Sequence, residues 1–402
     1  MISSSIESRS DVPTSSRCCI DFVTVFRFAA YFLLAAFGPA SIPSAQGCLF
    51  CEALANTLCE DIQESTVCVI ATGVNVEGTE APRRLDQTAV FTVDKCIRGS
   101  LAVGSKLQSV PLDSTAPQAP SSEAKYLVLG FGDETDVQWD LPILVSDQAI
   151  DYLERLLASD AKEAERLAIV LPYLVASDDV VADDAYNEFA RGSFAQIRSL
   201  AKQIDRQWVL DHLNAYLKSS DPPAHRVRLM WTLLCVCGQP EDVALFESIA
   251  KQTSIDRTNV GFDAAIGCYL MLAGLDGLQR VEREFLSSDD EPLVLAALNA
   301  IRFHAVETDR FETQRLAKSL HPLLRSPTMA AHVIPDLSRM QDWSAGPILL
   351  DLLALSDARH LRIPIVNYVR SCPQEQATDW LERCRTIAPD AVESSFRMFP
   401  NL

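Results

Sequence analysis

From Ser146 to Leu402 the chain keeps restating one short pattern, and that pattern limits the fold more than any other feature. A helix with apolar spacing runs out, a turn rich in Ser and Asp follows, and a new apolar-periodic helix begins. The restatements read "YLVASDDVVADDAYNEFA" from Tyr173, "YLKSSDPPAHRVRLMWTLL" from Tyr216, "FLSSDDEPLVLAALNAI" from Phe285 and "LLALSDARHLRIPIVNYV" from Leu352. Looser copies, "IAKQTSIDRTNVGFDAAIGCYLML" and "HPLLRSPTMAAHVIPDLSRM", fill the gaps. Ser177, Ser220, Ser254, Ser288, Ser326 and Ser356 mark the breaks at intervals of 43, 34, 34, 38 and 30 residues. A drifting period of that size, with two helices per unit, is how a degenerate helical-repeat array reads, each unit burying its apolar face on the next. The expectation is an α-solenoid of about six helix pairs over residues 146–402, with an irregular all-α domain as the alternative. Its first helix, "DQAIDYLERLLAS", places Ile150, Leu153, Leu156 and Leu157 on one stripe behind Ser146 as N-cap.

Ahead of Ser146 the periodicity is that of strands. "TVCVIATGV" (66–74), "AVFTVDKCI" (89–97), "SKLQSVPL" (105–112) and "AKYLVLGF" (124–131) are rich in β-branched and aromatic residues. The polar loop with Gly78, Pro82, Arg83 and Arg84 separates the first two, and "DSTAPQAPSSE" the last two. Short strands without βαβ alternation predict a small antiparallel sheet or barrel over residues 48–145. The helical spacing of Leu54, Leu58 and Ile62 predicts a helix before it, from Cys48 to about Glu60. The expected fold is thus multidomain, a small antiparallel β domain followed by an α-solenoid.

Residues 1–47 read as a secretory signal: Arg17 and Arg27 supply positive charge, "FAAYFLLAAF" (28–37) forms a short apolar run, and "GPASIPSAQG" follows. The run is shorter than the roughly 20 apolar residues a bilayer span needs. Cleavage after Gly47 leaves Cys48 first. "AQGC" resembles a lipobox in which Ala45 stands where Leu is usual, so Cys48 is a lipidation candidate. The location expected is periplasmic or extracellular, with a membrane tether only through a lipidated Cys48 or an uncleaved segment 20–37.

Ten of the twelve cysteines lie beyond residue 47, and Cys48, Cys51, Cys59, Cys68 and Cys96 crowd the start of the mature chain. Export favours disulfides. Cys48-x-x-Cys51 lacks the second pair that a zinc site needs, and no histidine occurs before His212. A thioredoxin-type pair sits between a strand and a helix N-terminus, and no strand precedes this one. Structural disulfides among the five cysteines remain the reading, with one left free or lipidated because five is odd. Cys235 and Cys237, two apart on a helix, point about 200° from each other and read as core. Cys372 and Cys384, about 18 Å apart along a continuous helix, cannot pair there.

No catalytic residue, metal site or cofactor emerges. His212, His225, His304, His321, His332 and His360 stand singly, outside any His-Glu-x-x-His or nucleophile-elbow pattern. The acidic run with Asp178, Asp179, Asp183, Asp184 and Glu188 lacks the alternation and glycine of a calcium loop, and reads as an N-cap followed by a solvated face. Asp151 and Glu154 read as unpaired surface acids. "GLDG" (274–277) reads as a helix-linking turn. Trp231, Trp343 and Trp380 read as packing between repeats. A net charge of −19 with no basic block argues against nucleic acid.

Three resemblances add to this reading. The helical part resembles HEAT and armadillo-like solenoids, in which a turn residue and Asp precede the second helix. The β part resembles netrin-like and tissue-inhibitor-of-metalloproteinase domains, which are OB-type barrels, through "VIATGV", "FTVDKCIRG" and "KYLVLG". Those domains begin Cys-x-Cys and this one Cys-x-x-Cys, which leaves protease inhibition through the N-terminus in doubt. The layout, with "CLFC", "LLCVCG" and "VIPDLSRMQDWS", is similar to uncharacterised exported planctomycete-type bacterial proteins. Together they imply a non-catalytic binding or scaffold protein that engages a protein or cell-envelope component. The alternative is an effector β domain, inhibitory or thiol-redox, with the solenoid as adaptor.

Overall fold

In a computed structural model of the chain, the described residues are 50–402 without 52, 75–87, 113–122, 134–135, 160, 162, 252–260 and 356–357. The segment 1–47 read as a signal, Cys48, the loop with Gly78, and the markers Ser254 and Ser356 lie outside them.

The sheet is organised by β1 (Val67–Val74), whose sequence is apolar on both alternations. Val67, Val69 and Ala71 face one side while Cys68 and Ile70 face the other, so both faces require cover. β1 is accordingly central. β2 (Thr88–Arg98), β3 (Lys106–Pro111), β4 (Lys125–Asp133) and β5 (Asp136–Trp139) give the order β3-β2-β1-β4-β5, all antiparallel, and β6 (Ile143–Val145) pairs with β4. The four strands expected from the sequence are present, and β5 and β6 are two short ones besides. Register shifts in β1–β2 sharpen the twist. The sheet curls until its edges β3 and β5 meet, around a core of Phe91, Val93, Leu107, Val110 and Val128. Its outer face, with Leu127, Leu129 and Val145, joins the core of the helices.

The helix expected from Cys48 begins only at Leu58: α1 is Leu58–Glu64. Thr57 and Glu60 form a capping box that sets this N-terminus, Thr57 Oγ1 accepting from Glu60 N at 3.2 Å and Glu60 Oε2 from Thr57 N at 2.9 Å. Residues 53–57 are not helical, and Leu54 is 63% exposed instead of buried.

Helices follow from Ser146 onward, as the periodicity predicts. α2 (Asp147–Ala158) starts at Ser146, whose Oγ accepts from Ala149 N at 3.1 Å. Leu153 and Leu156 are buried, Leu157 is exposed, and Tyr152 is the fully buried aromatic of that face. Next come α3 (Glu163–Val170), α4 (Asp179–Ala190), α5 (Phe194–Ser199), α6 (Arg206–Lys218), α7 (Ala224–Cys237), α8 (Val243–Ala250) and α9 (Phe262–Glu284). Gly274 breaks α9 with φ +64, where "GLDG" marks a turn. The run ends with α10 (Glu291–Glu307), α11 (Thr313–Leu320), α12 (Pro327–Arg339), α13 (Gly346–Leu353), α14 (Arg362–Ser371), α15 (Gln376–Ile387) and α16 (Pro389–Met398). Among the described residues, no helix is long and apolar enough to cross a membrane.

Packing runs from α6 to α7, from α7 to α9 and from α9 to α10, then from α12 to α14 and from α14 to α16. Arginines also join separate elements along the run. Arg228 pairs with Asp263 at 3.0 Å, Arg302 with Asp336 at 2.8 Å, Arg280 with Glu247 at 3.1 Å and Arg383 with Asp351 at 3.0 Å. Arg206 with Asp242 and Arg315 with Glu282 are two more, and Arg226–Asp183 and Arg166–Glu188 join residues 43 and 22 apart. The other six pairs, in the order named, are 35, 34, 33, 32, 36 and 33 residues apart. Trp231 is buried in α7, Trp343 lies in a 3-10 turn, and Trp380 covers Gly346.

Candidate functional site

Two places gather chemically capable side chains. The first is where the segment 50–60 lies on α4. One face of α4 carries Asp184, Asn187, Glu188 and Arg191, at helical positions i, i+3, i+4 and i+7. Asn187 Oδ1 accepts from Leu54 N at 2.8 Å and Ala55 N at 3.2 Å. Asp184 Oδ1 accepts from Leu58 N at 2.6 Å, and its Oδ2 from Tyr152 Oη at 2.8 Å. Arg191 donates to Glu60 at 2.7 Å and to Ala55 O at 2.9 Å. Arg166 grips Glu188 with both Nε and Nη2. The acidic run read as a solvated face is therefore corrected. Asp178 is the N-cap, accepting from Val181 N at 3.1 Å, but Asp184 and Glu188 are buried because the N-terminal segment covers them. The signal for this was Asn187 and Arg191 continuing the acidic residues along one helix face.

Burial dominates the electrostatics. It raises the Asp184 carboxyl to about 6, against the lowering effect of Leu58 N–H and the Tyr152 hydroxyl. It also pushes the Cys59 thiol up, although Arg166 pulls the other way. A cleft of about 390 Å³ opens beside these groups, lined by Gln63, Arg166, Glu188, Arg191 and Gln196. Both of its arginines are engaged by carboxylates.

Among the described residues no disulfide joins the cysteines expected to form staples, although Cys68 and Cys96 lie near each other on the paired strands β1 and β2. Cys51 Sγ donates to Thr232 Oγ1 on α7 at 3.7 Å, and Cys59 lies beside Arg166. Cys68 faces the helical core, where burial raises its thiol to about 12, and Cys96 Sγ contacts Arg98 O at 3.3 Å. Cys59, Cys68 and Cys96 are free thiols in this structure. Cys48, the lipidation candidate, lies outside the described residues. Phe50 anchors the segment: its ring meets Phe303 at 4.5 Å and lies where a Cβ on Gly267 would come within 2.7 Å. Glu154, expected to be unpaired, bonds Lys95 of β2 at 2.7 Å across an exposed surface. Cys372 ends α14 and Cys384 lies in α15, so they occupy different helices.

The second place lies at α11–α13. His321 Nε2 meets Asp342 Oδ2 at 2.5 Å, and Ser344 Oγ donates to Asp342 Oδ1 at 2.6 Å. Serine and histidine thus share the carboxylate as separate partners, an arrangement that positions a turn rather than activating the hydroxyl. Beside it runs a groove of about 570 Å³, with Leu324, Ile348, Leu352 and Leu355 along it. His304, by contrast, is a core histidine between Gly267 O and Thr308 Oγ1, both at 2.9 Å, and burial lowers it to about 4. Among the described residues, no cluster of three or more His, Cys, Asp or Glu side chains could hold a metal ion. Comparison with models of protein families, with curated proteins and with solved structures found no match to this chain.

Proposed function

We propose that this chain is an exported binding or scaffold protein whose helices stack as a HEAT-like solenoid and engage a protein or cell-envelope component. The observation that carries this reading is the recurrence of arginine–acid pairs between residues 32 to 36 positions apart. Two of the five intervals between Ser-Asp turns, both 34, fall in that range, and a stack of similar units brings side chains about one unit apart in sequence into contact. Such a stack offers a long surface built from successive units. The thiol-redox alternative draws nothing from Cys59 and Cys68, whose thiols burial pushes up, and of its own pair, Cys48 and Cys51, the first lies outside the described residues.

Photo-crosslinking groups placed one at a time at exposed positions on or beside the helices, such as Leu275, Val306 and Leu355, test the reading in the native cell. A recurrent adduct of one mass from neighbouring positions is expected. Adducts only from the sheet, or none from any helical position, overturn it. Export is tested by intact mass from the native envelope. A chain starting at Cys48 supports it, a diacylglycerol increment on Cys48 adds a membrane tether, and a cytosolic chain retaining Met1 overturns it.

A further inference from the structure

The groove at α11–α13 brings two features together. Its wall exposes apolar side chains, with Ile348 42% and Leu355 46% exposed, beside buried Leu324 and Leu352. Its rim is cationic on a chain of net charge −19. Lys318 and Arg325 are exposed on that rim and have no ion-pair partner among the described residues, whereas Arg228, Arg280, Arg302 and Arg315 are held by acids. The one acid lining the groove, Asp351, is engaged by Arg383 at 3.0 Å.

We propose that this groove binds a short acidic amphipathic helix of a partner protein. The proposal rests on the binding reading above and names its partner class. The apolar wall suits anchors at i, i+3 or i+4 and i+7 of a helix, the mode by which grooves capture amphipathic segments. The groove's volume falls within the range of about 300–1,000 Å³ that holds compact ligand groups. Lys318 and Arg325 select acidic flanks over basic ones and steer their approach. A hydrophobic segment without charge meets the same wall but leaves these cations unused.

A library of displayed peptides of about sixteen residues, roughly four helical turns, is selected on the full chain and counter-selected on Leu355→Glu. Enriched peptides should be net acidic, with apolar residues at helical spacing. A synthetic copy should bind about tenfold or more weakly to Leu355→Glu and to Lys318→Glu/Arg325→Glu, and lose affinity with added salt. A Lys-flanked version of the peptide should recover binding on the charge-reversed variant. Circular dichroism and thermal melts confirm that these surface variants fold. Enrichment of basic peptides, binding indifferent to Leu355→Glu, or no enrichment overturns the proposal. So does a wild-type dimer in sedimentation equilibrium that Leu355→Glu abolishes, since the occupant is then a second copy. Crosslinked adducts elsewhere on the helices, unchanged by Leu355→Glu, leave the binding reading standing while this groove falls.

Discussion

Where the N-terminal segment meets α4, Asp184, Glu188, Arg166 and Arg191 are all engaged with other parts of the chain, and the two acids are buried. At α11–α13 the arrangement is inverted, with Ile348 and Leu355 half exposed and Lys318 and Arg325 facing water. Desolvating charges is costly and leaves little net stability even when they are well paired. The first region is therefore best understood as a device for position: side chains of α4 satisfy particular backbone amides of residues 54–58, which fixes where α1 and the sheet sit. The second region meets no such internal demand, which leaves it available to something outside the chain.

The largest expected effect breaks the first region. Arg166→Ala strands Glu188 as an unpaired buried charge, and urea denaturation should show a loss of about 3–5 kcal/mol. Arg166→Met combined with Glu188→Leu should recover most of it. A loss below about 1 kcal/mol for Arg166→Ala would show that solvent reaches Glu188 and that the region resembles ordinary surface.

Titration sharpens the contrast between this junction and the helical core. Asp184 holds its proton more tightly folded, at about 6 against 3.8, so its contribution is complete below pH 3.8 and disappears as pH rises through about 6. His304 does the opposite: at about 4 against 6.5, its contribution is complete above pH 6.5 and disappears as pH falls through about 4. Each is on the order of 3 kcal/mol, and they nearly cancel in the wild type. Asp184→Asn should therefore lose stability as pH falls from 6.5 to 4.5, while His304→Gln should gain it. Unfolding free energies at four pH values in that window measure both slopes, and slopes of the same sign would refute the assignment. Below that window all variants should weaken together, because Asp242, Glu282 and Asp342 are held below their ordinary values by Arg206, Arg315 and Ser344 with His321, respectively, against the opposing effect of burial.

Asn187→Ala removes the shared acceptor of the Leu54 and Ala55 amides, and should cost about 1–3 kcal/mol. Hydrogen exchange at those two amides should accelerate more than in the strands. Smallest of all, Leu355→Glu should shift stability by no more than about 0.5 kcal/mol, as an exposed position does. A larger loss would mean that the groove is internal packing and not a free surface.

Short-range features were legible in the residues alone. Four strands, the helical run after Ser146, and the caps at Ser146 and Asp178 depend on contacts within a few residues, which spacing and side-chain chemistry report directly. The Ser-Asp turns between helices were legible too. What only the tertiary structure decided has its cause far along the chain. α1 starts at Leu58 because Asp184 and Asn187, more than 120 residues away, take up the amides that would otherwise need a longer helix. Asp184 and Glu188 look like surface acids until another segment lies over them. Nothing in the chain's one-dimensional pattern distinguishes Leu355, half exposed, from Leu353, fully buried two residues earlier. Burial is set by what packs against a residue, and for a side chain on a stack of helices that neighbour comes from the next unit.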